Sequence, residues 1–256
     1  MANNHHRSSQ LPYLDENSPN DQLVAYCDNA PESRFLSSLK TTTKVVKLSD
    51  HVAIKFGWLL SKDEADNQRR AYDLVDHNDV RVPRVFRYFV DGDRGFIIME
   101  FIDGDILNPL EEKAAIHKVA GVMAHLASLK GDHPGPLSRA YCRGLLFPDM
   151  EDLQFDNVDD LESWFNTRIR RDDCTIHLRE CELILCHLDV APCNIFWQRD
   201  GSICLLNWAS AGYYPRLFEF ASQWIIKGLD HNFNRLLLEA MDPLPDHEMC
   251  QKGSLM

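Results

Sequence analysis

No apolar run in this sequence approaches the roughly 18 residues that a membrane span needs, so no membrane-spanning helix is expected. The polar start, Met1-Ala2-Asn3-Asn4-His5-His6-Arg7, has no apolar stretch behind it and reads against a signal peptide. The eight cysteines (27, 142, 174, 181, 186, 193, 204 and 250) contain no C-x-x-C pair. Thiols scattered in this way fit reduced, buried side chains in the cytoplasm better than a disulfide framework or a zinc site. Positive charge is short: 27 Lys and Arg against 39 Asp and Glu give a formal net charge of −12. Neither nucleic acid nor an anionic membrane would attract such a surface. A cationic substrate is compatible with it, and so is plain solubility. Repeats are also missing.

What is present is ordinary for a globular chain. Over 256 residues, 45% are hydrophobic and 26% charged, enough for one good core or for two small lobes. Residues 1–20 are poor in apolar anchors and read as a mobile tail. Leu23, Val24, Tyr26, Phe35, Leu36 and Leu39 suggest short helices broken near Pro31. The period then changes. Thr43 to Leu48 and His51 to Phe56 read as a hairpin, and Arg84 to Val90 with Gly95 to Phe101 as a second one around Asp91-Gly92-Asp93-Arg94. Between them Ser61 to Asp76 reads as a helix with Ser61 as N-cap three residues before Glu64.

After Ile102-Asp103-Gly104 the pattern turns helical. Glu111 to Leu129 carries apolar residues at helical spacing, 131–158 reads as a long loop, and 159–171 and 176–185 as helices. Short strands at 195–197 and 203–206 precede a last helix over 217–240. The order predicts an α+β, two-lobed arrangement: a small antiparallel-sheet lobe over 21–102 and a mainly helical lobe over 103–256.

The chemistry-bearing residues follow that order. Val52-Ala53-Ile54-Lys55 ends a predicted strand in the V-A-I-K form, in which a Lys reaches nucleotide phosphates; an exposed Lys at a strand end is the plain alternative. Glu64 or Glu100 is a candidate partner for Lys55, with Glu64 the better placed. His187-Leu188-Asp189-Val190-Ala191-Pro192-Cys193-Asn194 has the form H-x-D-x-x-x-x-N. In that spacing the Asp orients and deprotonates an acceptor hydroxyl and the Asn holds a metal. His187 reads as a brace for the loop through its ring nitrogens, or as a second acid–base group beside Asp189. Cys186 and Cys193 read as small packing residues.

Residues 43–226 resemble the aminoglycoside phosphotransferase and choline kinase superfamily in a divergent, fungal type. The matching stretches are Val45 to Leu48, Val52 to Gly57, Val82-Pro83-Arg84-Val85, Met99 to Gly104, His187 to Ile195, and Leu206-Asn207-Trp208-Ala209-Ser210-Ala211-Gly212-Tyr213-Tyr214-Pro215. The resemblance implies a kinase-like fold and a reaction that uses ATP or GTP with Mg2+ to phosphorylate a small-molecule hydroxyl. It implies that Lys55 contacts the phosphates, Met99, Glu100, Phe101 and Ile102 form the adenine hinge, Asp189 is the base, and Asn194 and Asn207 stand at the metal positions. Acidic residues in the second lobe bind acceptors in that family. Asp149, Glu151, Asp152, Asp156, Asp159 and Asp160 could therefore face a cationic acceptor, or be solvated charges and helix N-terminal acids.

Three departures accompany the resemblance. Leu39 to Leu48 has no glycine to let backbone N–H groups close over phosphates. Asn207 stands where the family has a metal-binding Asp, which removes one formal charge. Ala209 replaces a Glu, and Leu188 a Gly. The sequence therefore supports three functions: a slow phosphotransferase, a pseudokinase serving as a binding module, and a kinase-fold cleft repurposed for other small-molecule chemistry.

Overall fold

The computed structural model describes residues 14–58, 60–107, 112–148, 151–169, 175–226, 231–251 and 254. They form two compact units. The first runs to Leu60 and resumes over Phe86–Phe101; the second comprises Ser61–Val85 and the chain from Ile102 onward.

In the first unit the helix α1 (Asn20–Asn29) precedes β1 (Thr43–Lys47) and β2 (Val52–Trp58). The later hairpin, β3 (Val85–Asp91) and β4 (Arg94–Glu100), completes a four-stranded sheet in the order β1-β2-β4-β3. Gly92 turns that hairpin at φ 58°, a conformation glycine adopts without a Cβ penalty. Val46 pairs with Ile54 and Ile54 with Ile98. Because side chains alternate along a strand, Val52, Ile54 and Phe56 share one face, which buries Leu23, Tyr26 and Cys27 of α1. Phe96 stacks on Phe56 and Phe89 at ring distances of 5.7 and 4.9 Å. Leu14 joins this core and Arg87 Nη2 donates to the Ser18 carbonyl at 2.7 Å. Part of the expected tail is therefore anchored, and residues 1–13 of it lie outside the described residues.

In the second unit α2 (Lys62–Leu74) starts at Ser61, whose Oγ accepts the Glu64 N–H at 3.3 Å. This helix groups with the second unit rather than with the sheet beside it in sequence. Its buried Asn67 donates to the carbonyls of Trp208, Ala209 and Ala211, and Gln68 donates to Pro83. Then come β5 (Asp105–Ile106), α3 (Lys113–Ser128), β6 (Gly135–Pro136), α4 (Val158–Asn166), β7 (Leu183–Cys186), β8 (Ile195–Trp197), β9 (Ile203–Leu205), β10 (Gly212–Pro215), α5 (Arg216–Ile226), α6 (His231–Ala240) and α7 (Asp246–Met249). Two small sheets have the orders β6-β10-β7 and β5-β8-β9. One core gathers Val119, Met123 and Leu126 of α3 with Phe233 and Leu237 of α6 and with Trp208. A second is aromatic, with Phe147, Phe155, Phe165, Tyr214 and Phe218.

Two expectations are corrected here. The helix expected over 176–185 is a turn followed by β7, which pairs with β10 through Leu185 and Tyr213. A short, wholly buried apolar run has no period to separate strand from helix. The last helix is described as α5 and α6, with 227–230 between them outside the described residues.

Candidate active site

The loop 187–194 leaves β7 and hangs on one buried acid. Glu219 of α5 is 2% exposed, and its Oε2 accepts the backbone N–H groups of His187 (2.7 Å) and Leu188 (3.1 Å). Burial pushes the Glu219 carboxyl up to about 7, with the charge of Asp189 acting in the same direction and the two N–H donors against it. Its Oε1 meets no hydrogen-bond partner among the described residues. Gln223, one turn further along α5, donates to Val190 O at 3.1 Å and accepts from Asn234 at 2.7 Å.

His187 is fully buried, and both ring nitrogens bond to backbone. The Asp189 N–H donates to Nδ1 at 3.3 Å, which makes Nε2 the protonated nitrogen that donates to Leu206 O at 3.1 Å. Burial lowers its pKa to about 4, only partly opposed by the Leu206 carbonyl. Packed edge-on against Trp208 at 4.7 Å, the ring braces the loop. In this placement both ring nitrogens are engaged by backbone groups and neither faces a substrate. Leu188 takes φ 62° in the left-handed region, where a branched side chain is strained by about 1–2 kcal/mol. Its side chain is nevertheless buried in the aromatic core.

Asp189, Asn194 and Asn207 come together. Asn194 Nδ2 donates to the Asp189 carbonyl (2.8 Å) and to its Oδ2 (2.9 Å). Asn207 Nδ2 donates to the same Oδ2 at 2.5 Å. Asn207 sits at φ 66°, ψ 64°, a conformation Asn tolerates well. The segment after it is pinned from two sides: Asn67 holds the carbonyls of 208, 209 and 211, and Ser210 Oγ donates to His187 O at 3.0 Å. In ligand type this set suits a hard divalent cation, since the amide oxygens of Asn194 and Asn207 are oxygen donors beside a carboxylate. In charge it carries only Asp189.

A pocket of about 490 Å3 opens on Asp189, lined by Arg143, Leu145, Phe147, Leu188 and Asn207 among others. Gly144, at φ 107°, admits Ser210 into this wall, since a Cβ there would sit 2.8 Å from that serine's Cβ. Three of the six acids that could face a cationic acceptor are paired with arginines. Glu151 meets Arg168 at 3.1 Å, Asp152 meets Arg143 at 3.2 Å, and Asp159 meets Arg179 at 2.8 Å. Asp160 lies in the first turn of α4, where Asn157 caps its N–H, and Asp149 is outside the described residues.

The remaining candidates belong to the sheet and its exit. Lys55 is central in β2, between Val45 and Ile97, on the sheet face opposite the first core. Met99 and Glu100 end β4 opposite Ala53 and Val52. Phe101 donates its N–H to His51 O at 2.9 Å and lies under the Lys47 ammonium at 4.1 Å. Ile102, 7% exposed, begins the second stretch of the other unit, and Glu64 lies in the first turn of α2. Sequence reasoning missed Glu219 and Asn67. A lone acid inside Leu217-Phe218-Glu219-Phe220 was the available signal for the first; Asn67 sits in a polar helix and gave none.

The phosphotransferase enzyme family matches over residues 39–246. No curated protein matches the chain. Among solved structures, a putative fructosamine-3-kinase from Haemophilus somnus 129PT superposes with a TM-score of 0.57 at 14% identity, covering 84% of this chain and 79% of that one. The apo form of a thermostable mutant of aminoglycoside phosphotransferase APH(4)-Ia gives 0.55 at 15% identity, with coverage of 79% and 75%. The GDP and kanamycin complex of APH(2")-IIia gives 0.52 at 12% identity, with coverage of 92% and 87%. The kinase-like α+β fold expected from the sequence is the fold these neighbours share.

Proposed function

We propose that this chain, which belongs to the phosphotransferase enzyme family, binds ATP or GTP and transfers the terminal phosphoryl group slowly to a hydroxyl of a small molecule. The observation that carries the reading is Asp189 fixed by Asn194 through both its carbonyl and its carboxylate, at the wall of a pocket large enough for a small acceptor. Asp189 would accept the acceptor's proton, and Asn194 would hold that carboxylate in the orientation the transfer requires. Lys55 would neutralise phosphate charge, Glu64 or Glu100 would orient Lys55, and Met99 to Ile102 would take the base. These assignments rest on the family resemblance. Mg2+ would be held by the amide oxygens of Asn194 and Asn207, and when bound it neutralises the phosphates.

One observation favours a second reading, a nucleotide-binding pseudokinase: the Asn207 amide satisfies Asp189 without any cation. Thermal unfolding against ATP and GTP, each with and without Mg2+, separates the two. Ligand at 100 times its Kd stabilises by about 2.7 kcal/mol. The phosphotransferase reading expects a nucleotide shift that grows with Mg2+, and phosphoryl transfer that disappears in Asp189→Ala. A shift indifferent to Mg2+ would favour the pseudokinase. No shift with saturating nucleotide would overturn both.

A further inference from the structure

The C-terminal segment is fastened to the second unit well away from Asp189 in sequence. Arg216 donates to the carbonyls of Asp242 (2.7 Å) and Pro243 (3.1 Å). The Gln251 side chain accepts the His177 N–H at 2.6 Å and donates to its carbonyl at 3.0 Å. At the same place α7 brings His247 and Glu248 against Cys181, in the turn before β7. A thiol sulfur, a ring nitrogen and a carboxylate oxygen from these three residues lie within 4.8 Å of one another. Cys181 is 8% and Glu248 4% exposed, whereas His247 opens to solvent. Glu248 accepts the Leu217 N–H through Oε2 at 2.7 Å, so Oε1 is the oxygen a further ligand would take.

Carboxylates crowd the thiol. Burial pushes the Cys181 thiol up to about 12, and Glu248, Glu162 and Glu180 all add to the shift. Burial also raises Glu248, with Glu182 acting in the same direction and His247 and Arg216 opposing it. A divalent cation would hold both groups in their ionised forms.

We propose that Cys181, His247 and Glu248 bind one zinc ion, with a fourth position open to water on the His247 side. Thiolate, imidazole and carboxylate together are the ligands of zinc rather than of Mg2+ or Ca2+. Bond lengths of about 2.0–2.3 Å in a tetrahedron put ligand atoms about 3.3–3.8 Å apart, so a closing movement of about 1 Å completes the site. On binding, the Cys181 S–H bond breaks, an S–Zn bond forms and the proton leaves to solvent; Glu248 gives up any proton it carries. The ion then clasps α7 to the turn ahead of β7. Spacing gives no hint of this site, because its ligands come from positions 181, 247 and 248.

The test uses the full purified chain, stripped with a chelator and titrated with Zn2+ and with Co2+. One equivalent of zinc should withstand a chromogenic chelator and raise the melting temperature. Cobalt should give a thiolate charge-transfer band and the intense visible bands of a tetrahedral site. Cys181→Ser should remove the charge-transfer band. Exposed His247→Ala, which leaves the buried pair in place, should weaken zinc binding at least about tenfold and remove the thermal response. Cys250→Ala should change none of these. Absence of the charge-transfer band in the unaltered chain, or equal zinc binding in His247→Ala, would overturn the proposal.

Discussion

The loop 187–194 and the segment 206–210 meet at Asp189, and they are held in different ways. The loop is held from inside by buried polar groups: Glu219 takes two of its N–H groups, His187 closes on Leu206, and Gln223 grips Val190. The segment presents to Asp189 a single side chain, Asn207, while its backbone is gripped by Asn67. The parts that shape the site therefore do not depend on the residue that sets its charge. A chain can lose one carboxylate at 207 and keep Asp189 where a phosphotransferase needs it, because nothing in the bracing passes through that carboxylate.

Removing the bracing should have the largest effect. Glu219→Ala would leave two buried N–H groups without an acceptor, at about 1–3 kcal/mol each, a total of about 2–6 kcal/mol. Denaturant midpoints measure it; a loss under about 1 kcal/mol would show that the loop does not hang on Glu219. Changing the charge should leave the fold alone and act on the chemistry. Asn207→Asp would add the missing carboxylate, and if that is worth about 3–4 kcal/mol in the transition state, transfer should rise roughly 10²–10³-fold. It would also set two carboxylates against each other where the amide now lies 2.5 Å from Asp189 Oδ2. The variant should therefore melt lower without divalent cation and recover with Mg2+. Equal melting with and without Mg2+ would break the argument that the amide stands in for a cation.

The same division explains what could be read from the sequence. The sheet was legible because β1 to β4 are β-branched or apolar runs joined by turn residues, and α2 because Ser61 and Glu64 mark its start. Asp189 and Asn194 were legible through their spacing. Glu219 was not, because its role depends on where α5 lies against the loop, 30 residues on from Asp189 in sequence. The pairing of Glu151, Asp152 and Asp159 with arginines was equally hidden, since sequence shows an acidic run and tertiary structure supplies its partners. β7 was misread because Leu183 to Cys186 is buried on every side and has no period.

A smaller effect is expected at Leu188, which joins the two regions by lining the pocket while packed in the aromatic core. Leu188→Gly relieves a left-handed conformation worth about 1–2 kcal/mol. It also deletes a buried side chain, for which truncation to Ala costs about 2–5 kcal/mol. The net expectation is a loss of about 1–3 kcal/mol, read by thermal or chemical unfolding. A gain in stability would mean that strain, not packing, dominates at this position.

The smallest effect is the slope of stability against pH, and here the two braces oppose each other. His187 has its pKa lowered from 6.5 to about 4 in the fold. The unfolded chain takes up that proton below pH 6.5 while the fold refuses it, so this contribution is lost as pH falls from 6.5 towards 4. Glu219 is raised from 4.5 to about 7, so the fold keeps a proton the unfolded chain releases, and this contribution is lost as pH rises from 4.5 towards 7. Between about pH 4.5 and 6.5 the two slopes, each at most about 1.4 kcal/mol per pH unit, largely cancel. Glu219→Gln keeps an oxygen for the His187 and Leu188 N–H groups and removes the titration, and any fixed cost of the amide drops out of the slope. Its stability should therefore climb with pH across that window more steeply than that of the unaltered chain. Parallel curves would show that Glu219 ionises at its ordinary pH, and that its two backbone donors offset its burial.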